Sequence, residues 1–62
     1  MNASTIRGLA EIDANIAVYL DDLRNIRDGL NREDPAGRHV AIAVTALEDA
    51  RLRLEEAIRP TL

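Results

Sequence analysis

The sequence contains no cysteine and only one histidine, His39. Without cysteine no disulfide can stabilise a small fold, and a closed zinc site would need three carboxylates beside the histidine, which is unusual. His39 also has no serine and aspartate at a spacing that supports a catalytic triad. Paired acids such as Asp21 and Asp22 are typical of a solvated helix face. We therefore predict no cofactor, and the chain is not expected to be an enzyme.

Aromatic residues are nearly missing as well, because Tyr19 is the single one. One aromatic side chain cannot stack the successive bases of a single strand, so Tyr19 is predicted to be a core residue with its hydroxyl at the edge. The chain has eight arginines, no lysine and eleven acids, for a net charge of −3. Duplex-binding domains usually carry a basic excess. We therefore expect no polymeric nucleic acid among its partners.

Long hydrophobic runs and a signal peptide are not visible. No apolar stretch approaches the roughly 20 residues that cross a bilayer, so we expect a soluble cytoplasmic protein without a membrane partner. The 62 residues allow one domain at most. Small folds without disulfides or metals usually gain stability by association, so we expect a homo-oligomer between a dimer and a hexamer.

What the sequence does contain is helix-forming residues between two prolines. Asp34 suits the N-cap, and Pro35 suits the first helical position, where a missing N–H costs nothing. Pro60 ends the helix because its ring clashes with the preceding turn. We therefore predict one long helix over about 35–59.

The apolar residues of this second helix step by three and four positions, the spacing of one helix face. Because further apolar residues lie beyond that face, we expect contacts with other copies of the chain. Two i,i+4 ion pairs are predicted, Asp49 with Arg53 and Glu55 with Arg59. The predicted seam is Val40, Ala43, Leu47, Ala50, Leu54 and Ala57, flanked by Val44, Ala46, Arg51 and Ile58, with Ile42 and Leu52 elsewhere.

A first helix is predicted over about 9–28 from a similar apolar pattern. Gly8 disfavours a helix that continues through it, so residues 1–8 are either its first turn or an extended arm across a neighbour. Gly29 suits a left-handed position just after the helix, with Leu30 folded back on the last turn. The predicted seam is Leu9, Ile12, Ile16, Tyr19, Leu23 and Ile26, and Leu30 would continue it.

The connection between the helices, residues 29–34, is short and polar, which favours an antiparallel arrangement. The predicted fold class is therefore all-α. We expect a single two-helix antiparallel hairpin over residues 1–62 that assembles into a helical-bundle homo-oligomer.

The start of the second helix carries the clearest binding signal, because free N–H groups there suit an anion. Arg38 adds a fork of donors matched to phosphate oxygens, and Gly37 would let a ligand or another backbone approach. Asp34 competes for the same N–H groups, so spacing alone favours simple capping. His39 is either a partly exposed histidine or a donor to an anion. Thr45 either bonds the carbonyl four residues back or faces a ligand.

Residues 38–48, and more loosely 57–60, resemble the helical-hairpin phage sponges that counter cyclic-nucleotide immune signalling, the anti-CBASS and anti-Thoeris sponges. The second helix of that family often opens with Arg followed by an aromatic and small apolar residues, continues with Thr, Leu and an acidic or amide residue, and closes with Arg, Ala and Pro. Of the family pattern before the first helix, only Arg7 and Leu9 are kept, and Ile6 replaces the base-stacking tyrosine. The residues that fit the longer run are Arg38, Ile42, Ala43, Thr45, Leu47 and Glu48.

The resemblance implies helical protomers that assemble into a higher oligomer, often a hexamer, with pockets between protomers. It implies Arg38 as a phosphate contact and Arg7 on the arm that closes a pocket. The predicted function is a non-catalytic sponge that sequesters a cyclic or ADP-ribose-type signalling nucleotide and blocks host antiphage immune signalling, in the host cytoplasm if the chain is phage-encoded. The alternative is a structural or regulatory hairpin that oligomerises or binds a partner without a small ligand. The candidate ligand-binding residues are Arg38, Arg7, His39, Gly37 and Thr45.

Overall fold

The computed structural model describes residues 1–59, which form two helices, α1 at Ala3–Gly29 and α2 at Pro35–Ile58. The helices pack against each other as a hairpin with Cα extents of 47 × 15 × 12 Å. The all-helical hairpin predicted from the sequence is confirmed. Within residues 1–59, neither helix combines the length and the hydropathy needed to cross a bilayer. The helix-ending role predicted for Pro60 lies outside the described residues.

The first helix begins at Ala3, earlier than the predicted Leu9. Asn2 is its N-cap: the N–H of Thr5 donates to the side-chain oxygen of Asn2 at 2.8 Å. Gly8 is helical and exposed, with no atom near the position of an added Cβ. A cap contributes about 1 kcal/mol, which is similar to the cost of one glycine inside a helix. Residues 3–8 are therefore helical, and the alternative of an extended arm is not observed.

The end of α1 differs from the predicted left-handed ending. Gly29 is the last helical residue, and no glycine among the described residues has a positive φ. The helix ends because Leu30 is extended (φ −78°, ψ 142°), while its N–H still donates to the carbonyl of Arg27 at 3.2 Å. An extended residue stops the helix without the left-handed geometry that favours glycine, so the predicted ending is wrong.

The turn into α2 is held by two side-chain caps. The side-chain oxygen of Asn31 accepts a hydrogen bond from the N–H of Glu33 at 3.1 Å. The backbone carbonyl of Asn31 accepts another from the N–H of Asp34 at 2.9 Å. Asp34 is the N-cap of α2: its carboxylate accepts from the N–H of Ala36 at 2.9 Å, and Pro35 occupies the first turn. These bonds fix a short turn, so the helices lie side by side and antiparallel.

The contact between the helices matches alternate positions of each predicted seam, which are half-buried, and differs at the others. On α1, the predicted Ile12, Tyr19 and Ile26 are 51, 65 and 54 % exposed. Instead, the residues that directly follow these three positions in the sequence face α2, and Leu20 among them is fully buried. The residues in this register are Asp13, Leu20 and Arg27.

The same one-residue shift occurs on α2. Val44 is fully buried, whereas the predicted Ala43 is half-buried and Ala57 is exposed. On each helix the contact combines alternate positions of the predicted seam, which are half-buried, with one adjacent register that faces the other helix. The register on α2 that does so contains Val44, Arg51 and Ile58.

The predicted i,i+4 ion pairs are also replaced. Arg53 pairs with Glu56 at 3.3 Å and not with Asp49, and Glu55 pairs with Arg51 at 3.7 Å and not with Arg59. Arginine side chains are long enough to choose among several acids on one helix face, so sequence spacing does not select the partner.

Candidate ligand-binding surface

Arg38 is exposed on the outer side of α2, one turn after the helix begins. It borders a shallow, mainly apolar depression of about 440 Å³, which we call the Arg38 surface. Residues three, four and seven positions apart share one side of a helix, so a single helix builds this surface. Its lining residues are Arg38, Ala41, Ile42, Thr45 and Ala46.

No acid among residues 1–59 engages the guanidinium of Arg38. Among residues 1–59, the arginines in ion pairs are Arg24, Arg27, Arg51 and Arg53. A guanidinium carries five N–H donors in a planar fork that matches the oxygens of a phosphate. Arg38 is therefore positively charged, exposed and next to apolar side chains of the same depression.

Thr45 lies on the same surface as Arg38. Its hydroxyl donates to the carbonyl of Ala41 at 3.2 Å, the backbone bond expected of a threonine inside a helix. This bond uses the hydroxyl proton but leaves the oxygen able to accept a hydrogen bond. Arg38 and Thr45 are thus the two candidate residues that the fold brings together.

The start of α2 is occupied by its own cap. The N–H of Ala36 donates to the carboxylate of Asp34, and the N–H of Gly37 donates to the carbonyl of Asp34 at 3.0 Å. Gly37 faces the turn, where an added Cβ would lie 3.9 Å from the carbonyl oxygen of Asn31. An anion at this helix start would have to displace Asp34. Capping, which the spacing favoured, is therefore what the structure contains.

His39 and Arg7 lie apart from the Arg38 surface. His39 is exposed but does not line the depression. Arg7 is exposed near the start of α1, at the end of the hairpin away from the turn. With a rise of about 1.5 Å per residue, roughly 30 Å along the hairpin separates Arg7 from Arg38. Within one hairpin these two arginines cannot contact the same small ligand.

Three residues of the Arg38 surface, Ala41, Ile42 and Ala46, were not among the predicted binding residues. Their signal is in the sequence, because they follow Arg38 at spacings of three, four and eight. The residue types gave no reason to select them, since alanine and isoleucine on a helix usually indicate core packing.

A second groove of about 250 Å³ lies between the helices. Its arginines are already paired: Arg24 contacts Glu48 at 3.1 Å, and Arg51 contacts Asp13 at 3.0 Å. An anion would have to break these pairs, so the groove is a weaker candidate than the Arg38 surface. It is lined by Leu20, Arg24, Glu48, Arg51, Leu52 and Glu55.

No protein-family model, curated protein or solved structure matches this chain. Within residues 1–59, no group of three histidine or acidic side chains is arranged to hold a metal ion. The resemblance to the phage sponges stays a prediction, and function is inferred from the residues of the chain itself.

Proposed function

We propose that this chain is a non-catalytic sponge that binds a cyclic or ADP-ribose-type signalling nucleotide at the Arg38 surface. The observation that carries the proposal is Arg38, which pairs with no acid of residues 1–59 and lies at the edge of an apolar depression. Its guanidinium offers paired donors to a phosphate, and the small apolar side chains beside it offer a flat surface to a base or ribose. Sequestration in the host cytoplasm would block antiphage immune signalling that depends on the nucleotide.

The pocket in this proposal is completed by a second copy of the chain. Ligand sites usually bury 70–90 % of a small ligand, whereas a shallow depression on one helix covers a single side of it. Another hairpin placed over the Arg38 surface would cover the opposite side. Arg7 then contributes from the neighbouring copy, because it is too far from Arg38 within one hairpin.

The other candidate residues have smaller roles in this proposal. Thr45 accepts a hydrogen bond from the ligand through its hydroxyl oxygen. His39 is exposed outside the depression, so it contributes less to binding than Arg38 does. Gly37 keeps the turn compact and does not contact the nucleotide.

Calorimetry against a panel of cyclic dinucleotides, cyclic trinucleotides and cyclised ADP-ribose derivatives tests the proposal. We expect submicromolar binding of at least one member, and the ligand should be released chemically unchanged when the protein is denatured. Native mass spectrometry of protein purified from nucleotide-producing cells should show the same ligand retained by the assembly. Absence of binding across the whole panel would reject the sponge.

The second candidate function is an oligomerisation or partner-binding module without a small ligand. It is favoured by large apolar side chains that the hairpin leaves exposed, such as Tyr19 at 65 % and Val18 at 60 %. This function predicts assembly without nucleotide binding, so the same calorimetry separates the two candidates.

A further inference from the structure

One side of the hairpin is apolar along both helices. On α1, the exposed Ile12, Tyr19 and Ile26 recur every seven residues, which aligns them in one row. On α2, Ala43, Ala50 and Ala57 form a row with the same spacing. We call the two rows the large row and the small row.

The two rows lie on the same side of the hairpin. Each residue turns a helix by about 100°, so Tyr19 precedes the buried Leu20 and Ala43 precedes the buried Val44 by that angle. Because the helices are antiparallel, the position before the buried residue turns toward the same side on both. The rows therefore flank one continuous surface, which we call the apolar face.

The residues between the two rows are only half-buried by the hairpin. Together with the rows they make up the apolar face, and none of its positions carries a charge. Half-buried apolar positions on both helices show that the helix–helix contact leaves part of each side chain uncovered. They are Leu9, Ile16, Leu23, Val40, Leu47 and Leu54.

The charged contacts lie on the opposite side of the hairpin. Arg24 and Glu48 each follow a buried residue by one helical turn, and they pair with each other at 3.1 Å. Arg51 and Glu55 line the same polar groove and also pair. One side of the hairpin thus carries these ion pairs, with Leu52 as an exposed apolar residue among them, while the apolar face carries no charge and lacks a cover.

From this segregation we infer that the apolar face is the contact surface for a second copy of the chain, and that the two hairpins form a four-helix bundle. A two-fold axis parallel to the helices sets the large row of each copy against the small row of the other. Large side chains then fill the space left by alanines, which lets all neighbouring helices pack at an even distance. The same surface serves both copies, as a two-fold contact requires.

The size of the apolar face fits this partner. The hairpin extends over 47 × 15 Å. One whole side of the hairpin, taken as a flat rectangle of these extents, covers roughly 700 Å², so a second hairpin that covers this side would bury an area close to the about 800 Å² per partner of a standard-size interface. The hairpin also needs the cover, because Leu20 and Val44 are its only fully buried side chains within residues 1–59. So small a core rarely supports a fold by itself.

This contact uses the side of the hairpin away from the Arg38 surface, so it is separate from the contact that completes the pocket in the proposed function, and it requires no nucleotide. Its test is therefore carried out without nucleotide, by sedimentation and native mass spectrometry. The wild type should have at least twice the 6.8 kDa mass of one chain. Tyr19→Glu should reduce the mass to that of a single chain. The matched control is Val18→Glu, because Val18 is also exposed and apolar but points away from the apolar face, and it should keep the wild-type mass.

A wild-type mass in Tyr19→Glu would overturn the pairing even if calorimetry found a bound nucleotide. If Tyr19→Glu fails to form helix, a second measurement on the wild type still tests the pairing. Tyr19 is the single aromatic residue, so acrylamide quenching of its fluorescence reports its exposure directly. We expect strong protection at concentrations where the chain is assembled, and quenching as efficient as that of free tyrosine would contradict the proposal.

Cysteine cross-linking tests the relative orientation, because the chain has no native cysteine. An oxidised mixture of Tyr19→Cys and Ala43→Cys should form a mixed cross-linked dimer faster than Tyr19→Cys forms its own dimer, because an axis parallel to the helices leaves these two positions within about 3 Å in height. Faster self-linking of Tyr19→Cys would mean that the two first helices face each other, and it would overturn the arrangement.

Discussion

The carboxylate of Asp13 accepts a 3.0 Å hydrogen bond from Nε of Arg51 across the contact between α1 and α2. The Asp13 side chain is 15 % exposed, the least of any partner in the ion pairs of residues 1–59. Arg51 also contacts Glu55 at 3.7 Å. A directed bond at a half-buried position fixes how far one helix slides along the other, which apolar contacts alone leave open.

Loss of the Asp13 charge should destabilise the hairpin. We expect Asp13→Asn to lower the thermal midpoint by a few degrees, because the half-buried guanidinium loses its charged partner. The matched control is Asp49→Asn, since Asp49 is exposed and forms none of the ion pairs among the described residues. Circular dichroism melts measure the thermal midpoints of the two variants. Equal midpoints would show that the Asp13 charge does not stabilise the hairpin.

The pH dependence of this pair follows from Arg51. The hydrogen bond that Arg51 donates to Asp13 raises the pKa of its guanidinium; burial opposes this, and the charges of Asp13, Glu55 and Asp21 add to it. When a group has a higher pKa in the folded state than in the unfolded state, its contribution to stability is fully present below the unfolded pKa. That contribution is lost as the pH rises through the folded pKa. For arginine that loss lies in the strongly alkaline range.

Arg51→Lys should move the loss to a pH that can be reached, because the ordinary pKa of lysine is about 10.4. We expect the stability difference between wild type and Arg51→Lys to grow as the pH rises through about 10. Chemical unfolding at a series of pH values measures this difference. A difference that is flat across the series would contradict the assigned role of Arg51.

Gly8→Ala tests whether α1 begins at Ala3. An added Cβ at Gly8 meets no atom within 4 Å. Replacing a glycine inside an exposed helix by alanine should stabilise the fold by about 0.5–1 kcal/mol and raise helicity. If residues 1–8 formed an extended arm in solution, the substitution would change neither quantity.

Arg38 should control nucleotide affinity. We expect Arg38→Ala to weaken binding about ten- to hundredfold, because a charge-assisted contact contributes about 1.5–3 kcal/mol. Arg38→Lys should also weaken it, since a point charge cannot reproduce a bidentate contact. His39→Ala should cost less. Arg38→Ala should keep the oligomer mass, and undiminished affinity in this variant would move the pocket away from the Arg38 surface.

Mixing variants tests whether Arg7 and Arg38 act from different copies. Arg7→Ala and Arg38→Ala should each bind weakly. After the two are mixed and reassembled, about a quarter of the pockets should combine an intact Arg38 from one copy with an intact Arg7 from another. Calorimetry should then recover high-affinity sites in that proportion. No recovery on mixing would contradict a pocket shared between copies.

The sequence was sufficient for the helices and for the start of α2, because Asp34 and Pro35 act through local backbone chemistry. It was not sufficient for the helix register. Tyr19 and Leu20 are adjacent large residues, and the heptad pattern accepts either as the buried one. Asp13 and Arg51 decide between them by pairing across the contact, and a pair 38 positions apart leaves no periodic signal. The Arg38 surface was found in part, because Arg38 and Thr45 have polar side chains whereas Ala41 and Ala46 have none.

The short turn capped by Asn31 and Asp34 also sets an order of events in time. Contacts within a helical hairpin close in microseconds to milliseconds, because the chain segments are already joined. Encounter of two copies at micromolar concentration takes roughly 0.1–10 s at ordinary association rates. Under the proposed pairing, each newly formed hairpin would therefore exist alone for a period with its apolar face uncovered. Synthesis of several chains close together would shorten that period, and dilution would prolong it.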